Sequence, residues 1–492
     1  MTRVLLSYVN SFMDNLIPIG VSLLSACLKR EGHKVELFDT TFYRTREETG
    51  DDARVKSLQI RSTNLADLGI REKPGSLTGD FREQINRFNP DLIALSVVEP
   101  TYSIAREMLE SIRDIKTPKI VGGIHATMAA EEIMRECPTD MVCRGEGEEA
   151  IVELASRLDS GKDFSDVQNL VVRKGQTLTA NPLRPLVKLD DLPDQDWDIY
   201  DRERFFKPMG GKIWVSGPIE LTRGCTYRCT FCCNAELQDM YKGIGRYPRE
   251  RSIAKFMAEL KDKKQKFGMQ YLYLVAENFL HMSQERFSEF VEGYSDVRLP
   301  FWIETRPETV DLEKILKLRE VGCEGLSIGI EHGNDQFRRS VLGRKVSNER
   351  LVEAFRTAKK SGIRICANNI VGFPTETRDL FFDTVELNRV LEPDNPIINI
   401  FSPYRGTKLW GMCVENGYVA RERTAGDYRS DATLTMPQLS SSEIRGLQRT
   451  FPLYVRLPRE MWPQIQTAER FDEAGEKRFG ELSKIYKEKY MR

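Results

Sequence analysis

Short apolar runs alternate with amphipathic helical patterns twice along this chain, and that rhythm constrains its fold more than any single residue does. VLLSYV (4–9) precedes the helix-like PIGVSLLSACLKREG (18–32), and KVELFD (34–39) reads as a second strand. After a charged insertion (41–80) come LIALSVV (92–98) with SIAREMLESIRDI, KIVGG (119–123) with AAEEIMREC, and MVCRGEGEEA leading into IVELASRL. Five strands alternating with helices predict a doubly wound parallel sheet over residues 1–160. Ligands of such sheets bind at the carboxyl ends of the strands, near the point where strand order reverses. The candidates there are Asn10, Ser96, Val98, Gly122, Gly123, His125, Gly145 and Glu146, in small, polar or glycine-rich segments that let backbone approach a ligand closely.

Residues 161–214 read as a linker. VQNLVVRKGQTLTANPL resembles a small hairpin, and VKLDDLPDQDWDIYD is a proline- and aspartate-rich connector. A second βα series then runs through IELTR (219–223), YLYLVAE (271–277), FWIET (301–305), GLSIGIE (325–331), IRICANNIVG (363–372) and IINIFSP (397–403). Six units predict a partial (β/α)6 barrel of the TIM type over 215–405, with its site at the C-terminal ends of the strands. Residues 406–492 read as mainly helical, closing on the charged RFDEAGEKRFGELSKIYKEKYMR.

Lys+Arg 73 against Asp+Glu 74 leaves a formal net charge of -1, which argues against nucleic acid or an anionic membrane as the main partner. No apolar stretch approaches the ~20 residues that span a bilayer, and MTRVLLSYVNSFMDN turns polar too soon for a signal peptide. The expected location is the cytoplasm, where clustered cysteines hold metal more often than they form disulfides.

Four of the ten cysteines fall in CTYRCTFCCN (225–234). Cys225, Cys229 and Cys232 form C-x3-C-x2-C, and Cys233 follows directly. Three readings compete. Structural zinc needs four ligands, yet Cys27, Cys137, Cys143, Cys323, Cys366 and Cys413 form no second C-x2-C. A redox pair would rest on C-x-x-C alone. The third reading is an iron–sulfur cluster held by three thiolates on one loop, which leaves one iron without a protein ligand.

CTYRCTFC, with Phe231 just before the third cysteine, resembles the signature of the radical S-adenosylmethionine (SAM) superfamily. That resemblance implies a 4Fe-4S cluster on Cys225, Cys229 and Cys232 whose open iron chelates SAM. It further implies reductive cleavage of SAM to a 5′-deoxyadenosyl radical, driven by an electron donor such as flavodoxin or ferredoxin. LVAENF (274–279), ETRPE (304–308), SIGIEHGND (327–335) and NIVGFPTET (369–377) resemble the later strand motifs of the family. They nominate Glu277, Arg306, Glu331, Gly372 and Glu376, beside Phe231, as SAM-binding residues.

PIGVSLLSACLKREGHKVELFD, VGGIHATMAAEEI and CRGEGEEAIVEL are similar to the flavodoxin-like cobalamin-binding domain that precedes many radical SAM domains. The chain has no D-x-H-x-x-G, so the resemblance implies cobalamin without a histidine lower ligand. It points to a cobalamin-dependent radical SAM enzyme, foremost a C-methyltransferase acting on an unactivated carbon of a small-molecule or lipid-like substrate. Cyclisation, rearrangement, oxidation or carbon–carbon coupling on the same architecture is the alternative, and a non-catalytic cobalamin-binding sensor is a second.

Overall fold

The computed structural model describes residues 1–175 and 177–491; Gln176, in the turn of the expected hairpin, and the terminal Arg492 lie outside the described residues. The chain divides into two compact units. One takes Met1–Thr49, Asn64–Gly224 and Glu236–Lys255, and the other takes Gly50–Thr63, Cys225–Ala235 and the chain from Phe256 onward.

In the first unit β1 (Arg3–Tyr8), β2 (Lys34–Asp39), β3 (Leu92–Ser96), β4 (Lys119–Gly122) and β5 (Met141–Cys143) form a parallel sheet in the order β2-β1-β3-β4-β5. The runs are continuously apolar because both faces are covered. Val4 and Leu6 pack with Val21, Leu28, Ile151 and Leu154 of helices Ile19–Arg30 and Glu148–Asp159. Leu5 turns the other way, toward Phe81, Met108, Leu109 and Ile133 of helices Leu77–Phe88, Tyr102–Ser111 and Ala130–Glu136. Strand order reverses between β1 and β3, which opens a crevice at their carboxyl ends. The hairpin of β6 (Leu170–Lys174) and β7 (Thr177–Ala180) continues the sheet antiparallel to β5. Beyond it β8 (Phe206–Met209) and β9 (Lys212–Glu220) form a second hairpin, and β10 (Thr222–Arg223) pairs with β11 (Arg249–Glu250).

In the second unit β12 (Tyr271–Val275), β13 (Phe301–Thr305), β14 (Cys323–Glu331), β15 (Arg364–Val371) and β16 (Asn395–Ile400) run parallel in chain order as a curled partial barrel. Helices Gln284–Tyr294, Leu312–Glu320, Asn348–Lys360 and Arg378–Leu391 alternate with these strands. Each starts at a Ser, Asp or Thr whose side chain accepts a first-turn N–H: Ser283, Asp311, Ser347 and Thr377. Alternation along a strand assigns faces. Phe301 and Ile303 are fully buried, while Trp302 and Glu304 point into the barrel.

β16 would be an open edge, and two segments cover it. Ile398 N donates to Gln59 Oε1 (3.1 Å) and Ile400 N to the carbonyl of Tyr428 (2.7 Å). Residues 50–63 of the charged insertion therefore belong to the barrel unit. The C-terminal region is helical as expected: Ser441–Arg456, Trp462–Ala468 and Glu473–Tyr490 bury Phe451, Ile465, Leu482 and Tyr486 beside Phe381 of the barrel. Among the described residues no helix is long and apolar enough to cross a membrane.

Candidate functional site

The cysteine loop follows β10 along the chain and is pinned in the barrel unit at Thr230. Its N–H donates to the carbonyl of Leu342 (3.2 Å), its hydroxyl to that of Val341 (2.7 Å), and its own carbonyl accepts from Leu409 N (3.1 Å). Phe231 packs its ring 5.9 Å from that of Phe373. Cys232 N closes a tight turn onto the carbonyl of Cys229 (3.1 Å).

The surroundings of the thiols are not equivalent. Arg306 Nη1 donates to Cys229 Sγ (3.4 Å), its Nη2 to Glu308 Oε1 (2.7 Å), and its guanidinium lies 3.6 Å from the centre of the Tyr227 ring. Cys232 has its pKa lowered to about 6, mainly because the Cys233 thiol hydrogen-bonds to it, with Asn234 adding donors at 3.5 Å and from the backbone. The same bond raises the pKa of Cys233. The bond from Cys233 thus favours negative charge on Cys232. Burial raises Cys225.

Glu277, exposed at the end of β12, lies close enough for its charge to act on Cys225, Cys232 and Cys233. Glu331 ends β14 in the left-handed region (φ 67°), where the register with β15 slips between Gly329 and Glu331. Such an irregularity re-aims a side chain, and a glutamate held in that conformation is strained. Arg344 holds the result: Nη1 reaches Glu331 Oε1 (3.1 Å) and Nη2 the carbonyl of Gly329 (2.6 Å). A Cβ at Gly329 would stand 2.5 Å from Glu331 Oε1. Burial raises the pKa of Glu331 against the opposing pull of Arg344 and Arg306. Glu304, inside the barrel on β13, is also raised, by burial and by the charges of Glu331 and Glu277.

Gly372 and Glu376 are brought together at the end of β15. Glu376 is wholly buried, and its Oε2 accepts from Gly372 N (2.6 Å) and Phe373 N (3.0 Å). Its Oε1 faces His332 Nε2 at 3.3 Å, while His332 Nδ1 accepts from Asn334 N (3.0 Å). The carboxyl group of Glu376 is therefore spent on shaping the Gly372 turn.

In the first unit Asn10 is buried and donates to Asp14 O (2.7 Å) and Thr41 Oγ1 (2.8 Å). Val98 leaves its apolar side chain 43% exposed at the end of β3, two residues past the part-buried Ser96. Gly123 (φ 100°) lies flat on that strand end: a Cβ there would meet Val97 O at 2.5 Å and Val97 N at 2.9 Å. Gly122 makes the turn's other contact, accepting from Val97 N (2.9 Å). The His125 side chain is fully buried, 4.6 Å from the Tyr102 ring and 3.8 Å from Glu99. Gly145 (φ 74°) leaves room for the Tyr241 hydroxyl, which accepts from Glu146 N (3.0 Å). The Glu146 carboxylate is held by Arg223 (3.0 Å) and Arg249, which keep its pKa low.

Profiles of two families match the chain: the B12 binding domain over residues 6–155 and the Radical SAM superfamily over 219–387. The chain joins a B12-binding domain to a radical SAM domain. Among similar curated proteins, an uncharacterized methyltransferase of Pyrococcus horikoshii is 26% identical over 378 residues, covering 75% of this chain and 79% of its own. The anaerobic magnesium-protoporphyrin IX monomethyl ester cyclase of Cereibacter sphaeroides is 25% identical over 342 residues, 67% of this chain and 54% of the cyclase. Two solved structures share the fold. The radical S-adenosylmethionine methyltransferase TsrM of Kitasatospora setae superposes with a TM-score of 0.63 at 18% identity, over 89% of this chain and 80% of TsrM. The cobalamin-dependent enzyme OxsB gives 0.66 at 15% identity, over 99% and 71%.

The chain has donor sets that suit the groups its two matched domains imply. Three thiols on one pinned loop, with Arg306 and Asn234 stabilising negative sulfur, fit an iron–sulfur cluster. The flat Gly123 turn beside exposed Val98 fits a broad apolar cofactor face. Reading the sequence left Arg344, His332 and Glu304 unassigned. Only Glu304 carried a usable signal, its inward place in the alternation of FWIET.

Proposed function

We propose that the protein is a cobalamin-dependent radical SAM C-methyltransferase, with the cluster loop in its barrel domain and cobalamin in its N-terminal domain. The observation that carries the radical chemistry is geometric: Cys225, Cys229 and Cys232 lie on one short loop pinned at Thr230, with Arg306 Nη1 donating to Cys229 Sγ (3.4 Å). A cluster with one open iron supplies the electron that cleaves SAM, and cobalamin supplies the methyl carrier. Cys225, Cys229 and Cys232 hold the cluster. Glu277 and Arg306 flank the loop, which suits the amino and carboxylate ends of SAM. Glu331, re-aimed by its bulge, would contact the ribose of SAM, Phe231 and the Gly372 turn would border its adenine, and Glu376 keeps that turn closed.

Methylation is favoured by the methyltransferase relative that matches most of both chains, whereas the cyclase relatives keep a ring-forming reaction as the second reading. Anaerobic protein loaded with iron, sulfide and cobalamin, then given SAM and a strong reductant, is expected to release S-adenosylhomocysteine beside 5′-deoxyadenosine. If 5′-deoxyadenosine is the only product while cobalamin is bound, the methylation reading is wrong.

At the cobalamin end, Gly123→Ala pushes a methyl group into the backbone of Val97 at a positive φ, a strain of about 1–3 kcal/mol. Bound cobalamin, read by absorbance after gel filtration, is expected to fall several-fold with iron content unchanged. We further propose that no histidine ligates the cobalt from below, since the His125 ring is taken into the core against Tyr102 and Glu99. His125→Ala should leave the cobalamin spectrum as it is; a changed spectrum would assign that ligand to His125.

A further inference from the structure

One row inside the barrel is flanked by two charged side chains, Glu304 and Arg54, that form no ion pair among the described residues. Parallel register aligns Glu304 of β13 with Ser327 of β14, Ser327 with Cys366 of β15, and Cys366 with Asn395 of β16. Arg306, two residues beyond Glu304, touches Cys229, so this row lies about 7 Å deeper than the cysteine loop. Ser327 accepts from Trp302 Nε1 (2.8 Å) and is within hydrogen-bonding reach of Cys366.

The two ends of the row differ in charge. Glu304 is exposed to the barrel interior, and among the described residues it makes no hydrogen bond or ion pair. At the other end stands Arg54, carried by the helix Gly50–Lys56 and fixed by the clasp of Gln59 on Asn395 and Ile398. Its Nε is buried without a hydrogen-bond partner, and its guanidinium, 5.9 Å from the Tyr428 ring, forms no ion pair among the described residues. Both charges act on Cys366 between them. Buried donors are normally satisfied, and a guanidinium is shaped to grip a carboxylate with two parallel bonds. Glu304 and Cys366 are two strands apart, about 10 Å. A carboxylate at one end and a guanidinium at the other suit a small molecule that bears both an N–H donor and a carboxylate.

We propose that this row is the substrate pocket and that it selects a small amino-acid-type molecule, its carboxylate on Arg54 and its ammonium or other N–H donor on Glu304. The inference rests on reading the barrel as the radical site. Arg54 and Glu304 are specificity residues here, since neither touches the cysteine loop.

The test uses the full chain loaded with its cluster, and its probes are the twenty protein amino acids with their methyl esters and N-acetyl derivatives. Thermal unfolding midpoints are read for each. At least one free amino acid is expected to raise the midpoint, and both its ester and its N-acetyl form to raise it less. Arg54→Met should erase the preference for acid over ester, and Glu304→Gln the preference for the free amine. Arg54→Lys, which keeps the charge and loses the fork, serves if Arg54→Met does not fold. The proposal is overturned if no amino acid shifts the midpoint, or if the variants discriminate as the wild type does. Slow release of 5′-deoxyadenosine from SAM without substrate should persist in both variants. Its absence from the wild type would count instead against the radical SAM reading.

Discussion

Single replacement of Cys225, Cys229 or Cys232 by alanine is expected to strip the purified protein of its brown chromophore. Iron should fall from about four atoms per chain to below about one. SAM cleavage should be lost with it, because two thiolates cannot hold the cluster that supplies the electron. Cys233→Ala is the informative partner. The Cys233 thiol lowers the pKa of Cys232 by donating to it, so its removal weakens a favourable hydrogen bond without removing a ligand. Iron and sulfide assays under anaerobic conditions should find that variant close to wild type. Loss of iron from Cys233→Ala with retention in Cys232→Ala would mean that the ligand register is shifted by one residue.

The second large effect is expected far from the thiols in sequence. Glu376→Ala removes the acceptor of Gly372 N and Phe373 N and the partner of His332, all inside a region with no access to water. Two buried donors without acceptors cost about 1–3 kcal/mol each, so unfolding in urea should show a loss of about 4 kcal/mol. Glu376→Gln retains an oxygen for those two N–H groups and should lose less than half as much. The pair separates a shaping role from direct SAM contact. A stable Glu376→Ala protein that merely binds SAM poorly would show that the carboxyl group reaches the ligand itself.

The parts of the site that were legible in the sequence are those set by short-range geometry. C-x3-C-x2-C is one loop, and FWIET reads as a strand. The two βα series gave the fold class because each unit is local. What stayed hidden depends on partners far away in the chain. Glu376 reads as a ligand in NIVGFPTET, yet whether a carboxylate faces a cofactor or its own backbone depends on the turn between them. Arg344 has no motif, and only the bulge at Glu331 gives it an acidic partner. The destination of residues 50–63 left no local trace, since the pattern of GDDARVK does not name the strand it covers.

That clasp sets an order of events during synthesis. Gln59 meets Ile398 across 339 positions of chain. At roughly 5–20 residues per second, the ribosome needs about 20 to 70 seconds to make the strand on which Gln59 closes. Over that interval the N-terminal sheet can form around the gap, while Leu58, which ends in the barrel core, has nowhere to bury. The first unit therefore emerges with a looped-out, sticky segment, and a chain cut before residue 400 would keep it permanently.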